Sequence, residues 1–326
     1  MIVTQRPGAI EFASNMPDYI IDADATISFE VKIGNQTILS EEYSPDAEFK
    51  VRIRKLGRFC RKALWGIWTN GNDNVTYQNN VGATFGFYID GVLDVESFII
   101  FSRVVACKYD FSSPVMLSSV NSKVIRSGMP EYLSFFLKNG QSLEVSCTTV
   151  DGVAMKQNFY THSLENAVCT FRCDLERIGL LFGDAVFNSF RVGNMTYYID
   201  STSYAERFVF RFKNIFDCPE IICVTGFMKM KGQDDSETAY MFGIERKFVI
   251  SRNDEYTVNS GVIFQQSDYK LWHDFLNCQE ASILVDGEWY DIVITQQNYE
   301  RDYRKNILKA VEFSFRLADP ENSGVI

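Results

Sequence analysis

Alternation of apolar and polar residues constrains this chain more than any other feature. Ile27, Phe29, Val31 and Ile33 alternate with Ser28, Glu30 and Lys32. Phe208, Phe210 and Phe212 repeat the pattern, as do Val311, Phe313, Phe315 and Leu317 near the end. A period of two marks strands with one buried face. The expectation is an all-β protein with a few short helices, built as tandem β-sandwich or barrel-like domains. At 326 residues, and roughly 100–200 residues per domain, two or three domains follow. The division read from the pattern is 1–125, 126–205 and 206–326.

Turn signals punctuate the strands. Gly34-Asn35, Asn70-Gly71, Asp90-Gly91, Asn139-Gly140, Asp151-Gly152 and Asp286-Gly287 lie between or beside apolar runs. Residues that tolerate positive φ are what tight hairpins require. The hairpin ISFEVKI–GNQ–TILSEEY is followed by a strand, a helical segment and further strands. The hairpin EYLSFFLK–NG–QSLEVSCTTV has the same sequel. The match lies in pattern more than in residues, so duplication and mere similarity of two hairpin-rich domains both stay open.

Helical spacing appears three times. Leu56, Phe59, Cys60, Leu64 and Ile67 share one face of a helix near 55–68. Gly57 and Gly66 weaken it, each by about 1 kcal/mol relative to alanine. Leu175, Ile178 and Phe182 form a shorter stripe. Leu271, Trp272, Phe275 and Leu276 form a third, near 268–278, opened by Ser267-Asp268 as a cap. The polar stretch 232–238 reads as an exposed tip, and the final DPENSGVI as a loose tail.

The net charge is −10, which disfavours general nucleic-acid binding. Against that background the run 49–62, FKVRIRKLGRFCRK, carries seven positive charges and no acid. Lys50, Arg52 and Arg54 alternate out of a strand, while Arg58, Arg61 and Lys62 avoid the helical stripe. The solvated faces of a strand and a helix account for such a run. Its functional reading is an interaction patch of those six residues. An acidic face of a neighbouring subunit suits it best, because residues 206–326 hold 20 acids against 14 bases.

Little else suggests chemistry. His162, Cys169 and Cys173 lie close together but lack a fourth ligand for zinc. Asp22 and Asp24 lack the twelve-residue calcium-loop spacing. Only His162 and His273 could serve a nucleophile. No catalytic residue, metal site or cofactor is assigned. The eight cysteines include no CxxC pair and sit in apolar contexts, which fits reduced thiols. The N-terminus lacks the apolar core of a signal peptide, and no run approaches a membrane span. Trp65, Trp68, Trp289 and Tyr290 could offer a sugar-stacking platform, except that neighbours Trp289 and Tyr290 must face opposite sides of a sheet.

Two segments carry a resemblance. LSEEYSPDAEFKVRI, around Glu41 to Ala47, and NYERDYRKNILKAVEFSFRLAD, around Asn306 to Asp319, resemble segments of β-rich structural proteins of phages and prophages that infect gut Bacteroidetes. The resemblance covers about a fifth of the chain and implies a virion- or tail-associated structural protein, with no catalytic residue carried over. The expected function is therefore a non-catalytic component of a phage or prophage tail or baseplate-type assembly. It is made in the host bacterial cytoplasm and acts by self-association, as a ring or other homo-oligomer, and by docking to other tail proteins. The alternative is a carbohydrate- or receptor-binding β module that takes a surface glycan.

Overall fold

A computed structural model describes residues 1–64, 74–104, 109–183, 185–232, 234–252, 254–263, 268–298, 310–322 and 324–326. The fold is mainly β, as the alternation predicts. Strand Ile27–Ile33 buries Ile27, Phe29 and Val31 and leaves the residues between them half-exposed. Glycine or aspartate at positive φ closes several of the predicted hairpins: Gly34 at +55°, Asp90 and Gly91 at +50° and +77°, Asp286 and Gly287 at +49° and +90°.

In the first part of the chain, a three-stranded sheet runs Ile2–Gln5, Tyr19–Asp22, Lys50–Ile53. A five-stranded sheet runs Ile10–Phe12, Val92–Ile100, Gly82–Ile89, Ile27–Ile33, Gln36–Tyr43. Its first pair is parallel and the rest antiparallel. The next part repeats this order. Val115–Met116, Tyr132–Leu137 and Ala167–Arg172 take the places of the small sheet. Ser122–Arg126, Met195–Asp200, Phe187–Val192, Ser142–Thr149 and Ala154–Thr161 take those of the large one. Again the first pair is parallel and the others antiparallel. Helices Leu56–Ala63 and Leu175–Phe182 each follow the last strand of the small sheet.

One strand breaks the correspondence. Val75–Tyr77 lies between the first helix and Gly82–Ile89, yet it pairs with Ala167–Arg172. The second small sheet therefore has a fourth strand where the first ends at Lys50–Ile53.

The last part is built around a seven-stranded sheet, in the order Pro219–Val224, Phe208–Lys213, Ala281–Val285, Glu288–Asn298, Glu312–Leu317, Glu255–Asn259, Met228–Lys231. Helix Asp268–Leu276 lays Leu271, Trp272, Phe275 and Leu276 into the core, where Phe275 meets Phe210, Phe212 and Phe313 at ring separations of 5.6, 5.4 and 5.2 Å. Apolar residues from Val120 to Leu317 form one continuous cluster, and a second cluster fills the first part of the chain.

Several details differ from the sequence reading. EYLSFFLK–NG–QSLEVSCTTV is not a hairpin: Tyr132–Leu137 belongs to the small sheet and Ser142–Thr149 to the large one, where it pairs with Ala154–Thr161. Stretch 232–238 is not a loop tip: Asp234–Met241 is a strand, paired with Ile244–Arg252 in a two-stranded sheet of its own. Phe59 faces outward at 37% exposure, although the stripe places it inward. Strand Phe208–Lys213 is buried on both faces, with Arg211 stacked 4.4 Å from the Trp289 ring and Lys213 bound to Glu280 at 2.8 Å. The tail forms a short turn of helix at Pro320–Asn322, and Ile326 packs against the core.

Gly57 is required where the sequence reading counts it as a weakness. A Cβ built there lies 1.8 Å from the Ala13 carbonyl oxygen. The helix meets the preceding segment through bare backbone.

Candidate docking surfaces

Five of the six basic residues of the candidate patch fall on strand Lys50–Ile53 and helix Leu56–Ala63, and Arg54 lies between the two. Two of them are partly neutralised at home. Arg52 reaches Asp46 at 3.4 Å and Glu48 at 3.0 Å, and Lys50 lies 3.8 Å from Glu48. Asp46 also accepts from the Lys50 and Glu48 backbone N–H groups, at 3.0 and 2.8 Å. The Lys50 N–H, then that of Glu48 and the Arg52 guanidinium, hold its carboxyl below the usual range. Arg61 donates to the Ser102 carbonyl at 3.5 Å, and with Lys62 it occupies the last helical turn, where positive charge suits the helix dipole. Arg54, Arg58 and Lys62 are exposed.

Strand Lys50–Ile53 is the outer strand of its sheet among the described residues. Phe49 accepts from Ala23 N–H, so by the alternation of an antiparallel ladder Val51 and Ile53 also bond inward. The backbone groups of Lys50 and Arg52 face outward. Asp46 closes the Lys50 position, its own N–H donating to the Lys50 carbonyl at 2.9 Å.

A second surface is the hairpin Asp234–Arg252, whose reversal the sequence reading misses. Its turn is Phe242-Gly243, at φ of +56° and +79°. Asp90-Gly91 and Asp286-Gly287 have the same signs of φ with aspartate in first place. Aspartate and asparagine tolerate that conformation, whereas a bulky side chain there is an outlier. Phe242 is nonetheless 95% exposed, and Tyr240, Met241 and Ile244 beside it are exposed too. Nothing in the local fold calls for an aromatic at this place.

Most of the remaining candidates belong to the interior. His162 is buried, its Nε2 2.7 Å from the Glu165 carbonyl oxygen. Cys169 and Cys173 are buried in the apolar cluster, and burial pushes the Cys169 thiol up to about 12. The described cysteines are free, and Cys107 lies outside the described residues. No group of three or more His, Cys, Asp and Glu among the described residues is placed to hold a metal. His273 points outward while Trp272 and Phe275 fill the core. Trp289 and Tyr290 are both half-buried, packed against different clusters on the two faces of their strand. Trp65 and Trp68 lie outside the described residues, as do Asn70-Gly71, Ile67, Ser267 and Asn306. No described helix is long and apolar enough to cross a membrane.

A set of buried charges ties the parts of the chain together. Lys123 Nζ lies 2.6 Å from Glu131, 3.9 Å from Glu220 and 2.9 Å from the Ile221 carbonyl oxygen. Arg103 holds Asp217 at 2.7 Å. Ser118 and Asn214 both donate to Glu220, at 2.8 and 2.9 Å. Burial raises the Glu131 carboxyl to about 7 even against the pull of Lys123, and raises Asp274 to about 6.

No protein-family model matches the chain, and no curated protein matches it. Among solved structures it is similar to a chain of the virion of native gene transfer agent (GTA) particle. The identity is 11%, over 30% of this chain and 85% of that one. At a TM-score of 0.23 this likeness carries no argument about fold or role.

Proposed function

We propose that the chain is a non-catalytic structural component of a phage or prophage tail or baseplate-type assembly, acting by self-association and by docking to neighbouring tail proteins. The observation that carries this reading is Phe242. An almost fully exposed aromatic occupies a turn position that favours aspartate, at the end of a hairpin standing outside the large sheets. Such a residue costs stability in the isolated chain and is of use only if a neighbour covers it. Buried charge pairs between the parts of the chain fit a firmly joined body from which such an arm projects. The basic patch and the acidic C-terminal part would set register between copies. The resemblance of residues 41–47 and 306–319 to phage structural proteins points the same way.

Electron microscopy of the purified full chain tests the proposal. Closed rings or stacked particles of uniform size are expected. Isolated single copies at every concentration, with none joining tail proteins encoded beside it, contradict it.

A further inference from the structure

The two related units differ at one edge. In the second, the outward-facing groups of Ala167–Arg172 are covered by strand Val75–Tyr77, which belongs by sequence to the unit before it. Gln78 N–H donates to the Val168 carbonyl at 2.8 Å, Thr170 lies opposite Thr76, and Arg172 N–H donates to the Asn74 carbonyl at 3.3 Å. In the first unit the corresponding strand is Lys50–Ile53, with Ile53 opposite Tyr19 as Phe171 is opposite Leu133. Lys50, Arg52 and Arg54 then correspond to Val168, Thr170 and Arg172. Asp46 takes the part of Gln78 at Lys50. No strand among the described residues covers Arg52 and Arg54. In the last part of the chain, Glu255–Asn259 is flanked on both sides, by Met228–Lys231 and Glu312–Leu317.

We propose that the edge at Arg52 and Arg54 receives an extended strand from a second copy of this chain, namely the acidic strand Asp234–Met241 of its hairpin. The inference rests on the self-association proposed above and names the contact. An open edge invites strand addition through its unpaired backbone groups. Within this fold, three residues suffice for the equivalent edge of the next unit. Charge then selects the donor. Strand Asp234–Met241 holds Asp234, Asp235 and Glu237 and no base, whereas its partner Ile244–Arg252 holds Arg246, Lys247 and Arg252. The acceptor and the residues after it carry Arg52, Arg54, Lys55 and Arg58, with Asp46 and Glu48 offsetting only Arg52 and Lys50. The two strands of the hairpin pair only with each other among the described residues, so each keeps one open edge. Because donor and acceptor are different surfaces of the chain, the contact is heterologous and builds rings or filaments.

Sedimentation velocity on the full chain tests this. The variants are R52P, the pair R52E and R54E, the triple D234K, D235K and E237K, and the pair combined with the triple. Proline removes an outward-facing N–H and is tolerated at such an edge; the charge pair keeps the test open if R52P does not fold. Each of the first three should weaken association by about tenfold or more, and the combination should restore it to within about threefold. Wild-type oligomers that persist unchanged in all variants overturn the strand contact and leave self-association standing. A wild-type chain that stays monomeric throughout overturns both.

Discussion

Lys123 and Glu131 face each other at 2.6 Å with both side chains almost completely buried, and the same ammonium reaches the Ile221 carbonyl. One cation thereby joins the edge of a five-stranded sheet to the start of the seven-stranded one. Removing one partner of a buried pair leaves an uncompensated charge. Lys123→Met should lower stability by about 3 kcal/mol, read as a drop in the urea midpoint. An unchanged midpoint would show that the junction carries no stability.

The same junction sets a pH dependence. Glu131 titrates at about 7 in the folded chain against an ordinary 4.5, and Asp274 at about 6 against 3.8, both because burial disfavours the charge. As pH rises from about 4 to 7, the unfolded chain releases these protons before the folded one does. Their contribution is thus fully present below the unfolded values and is lost as pH rises through the folded ones. The melting temperature should fall between about pH 4 and pH 7, and Glu131→Gln should flatten that slope. A slope that is the same in the variant removes Glu131 as its source.

Gly57 separates propensity from packing. Helix propensity alone gives Gly57→Ala a gain of about 1 kcal/mol. The contact with Ala13 instead leaves no room for the methyl group, so a loss of about 1–3 kcal/mol is expected from overpacking. Chemical denaturation distinguishes the two signs.

These elements show what a sequence discloses. Strands with one wet face, such as Ile27–Ile33, announce themselves by period two, and Asp-Gly turns mark their ends. Strand Asp234–Met241 gives no such signal, since a ribbon whose residues 236–247 lie mostly in solvent needs no apolar alternation. Phe208–Lys213 hides its second buried face behind Arg211 and Lys213, whose partners Trp289 and Glu280 are distant in sequence. The basic run at 49–62 is legible at once, but the edge it borders is not. Seeing that edge requires knowing that Val75–Tyr77 covers its counterpart. The Phe242-Gly243 turn escapes a search for Asn-Gly and Asp-Gly because its first residue disregards local preference.

Phe242→Asn restores the chemistry that this turn favours. The melting temperature should hold or rise slightly, while self-association weakens. Calorimetry and size-exclusion chromatography on the same preparation read the two effects. A destabilised chain with unchanged association would place Phe242 in the fold rather than at a contact.

Self-association is the central claim, and light scattering of the purified chain across concentration and salt tests it most directly. The account predicts a discrete oligomer that grows in with concentration and loosens as salt rises, because opposite charges set the contact. A mass fixed at 37.4 kDa under every condition contradicts it.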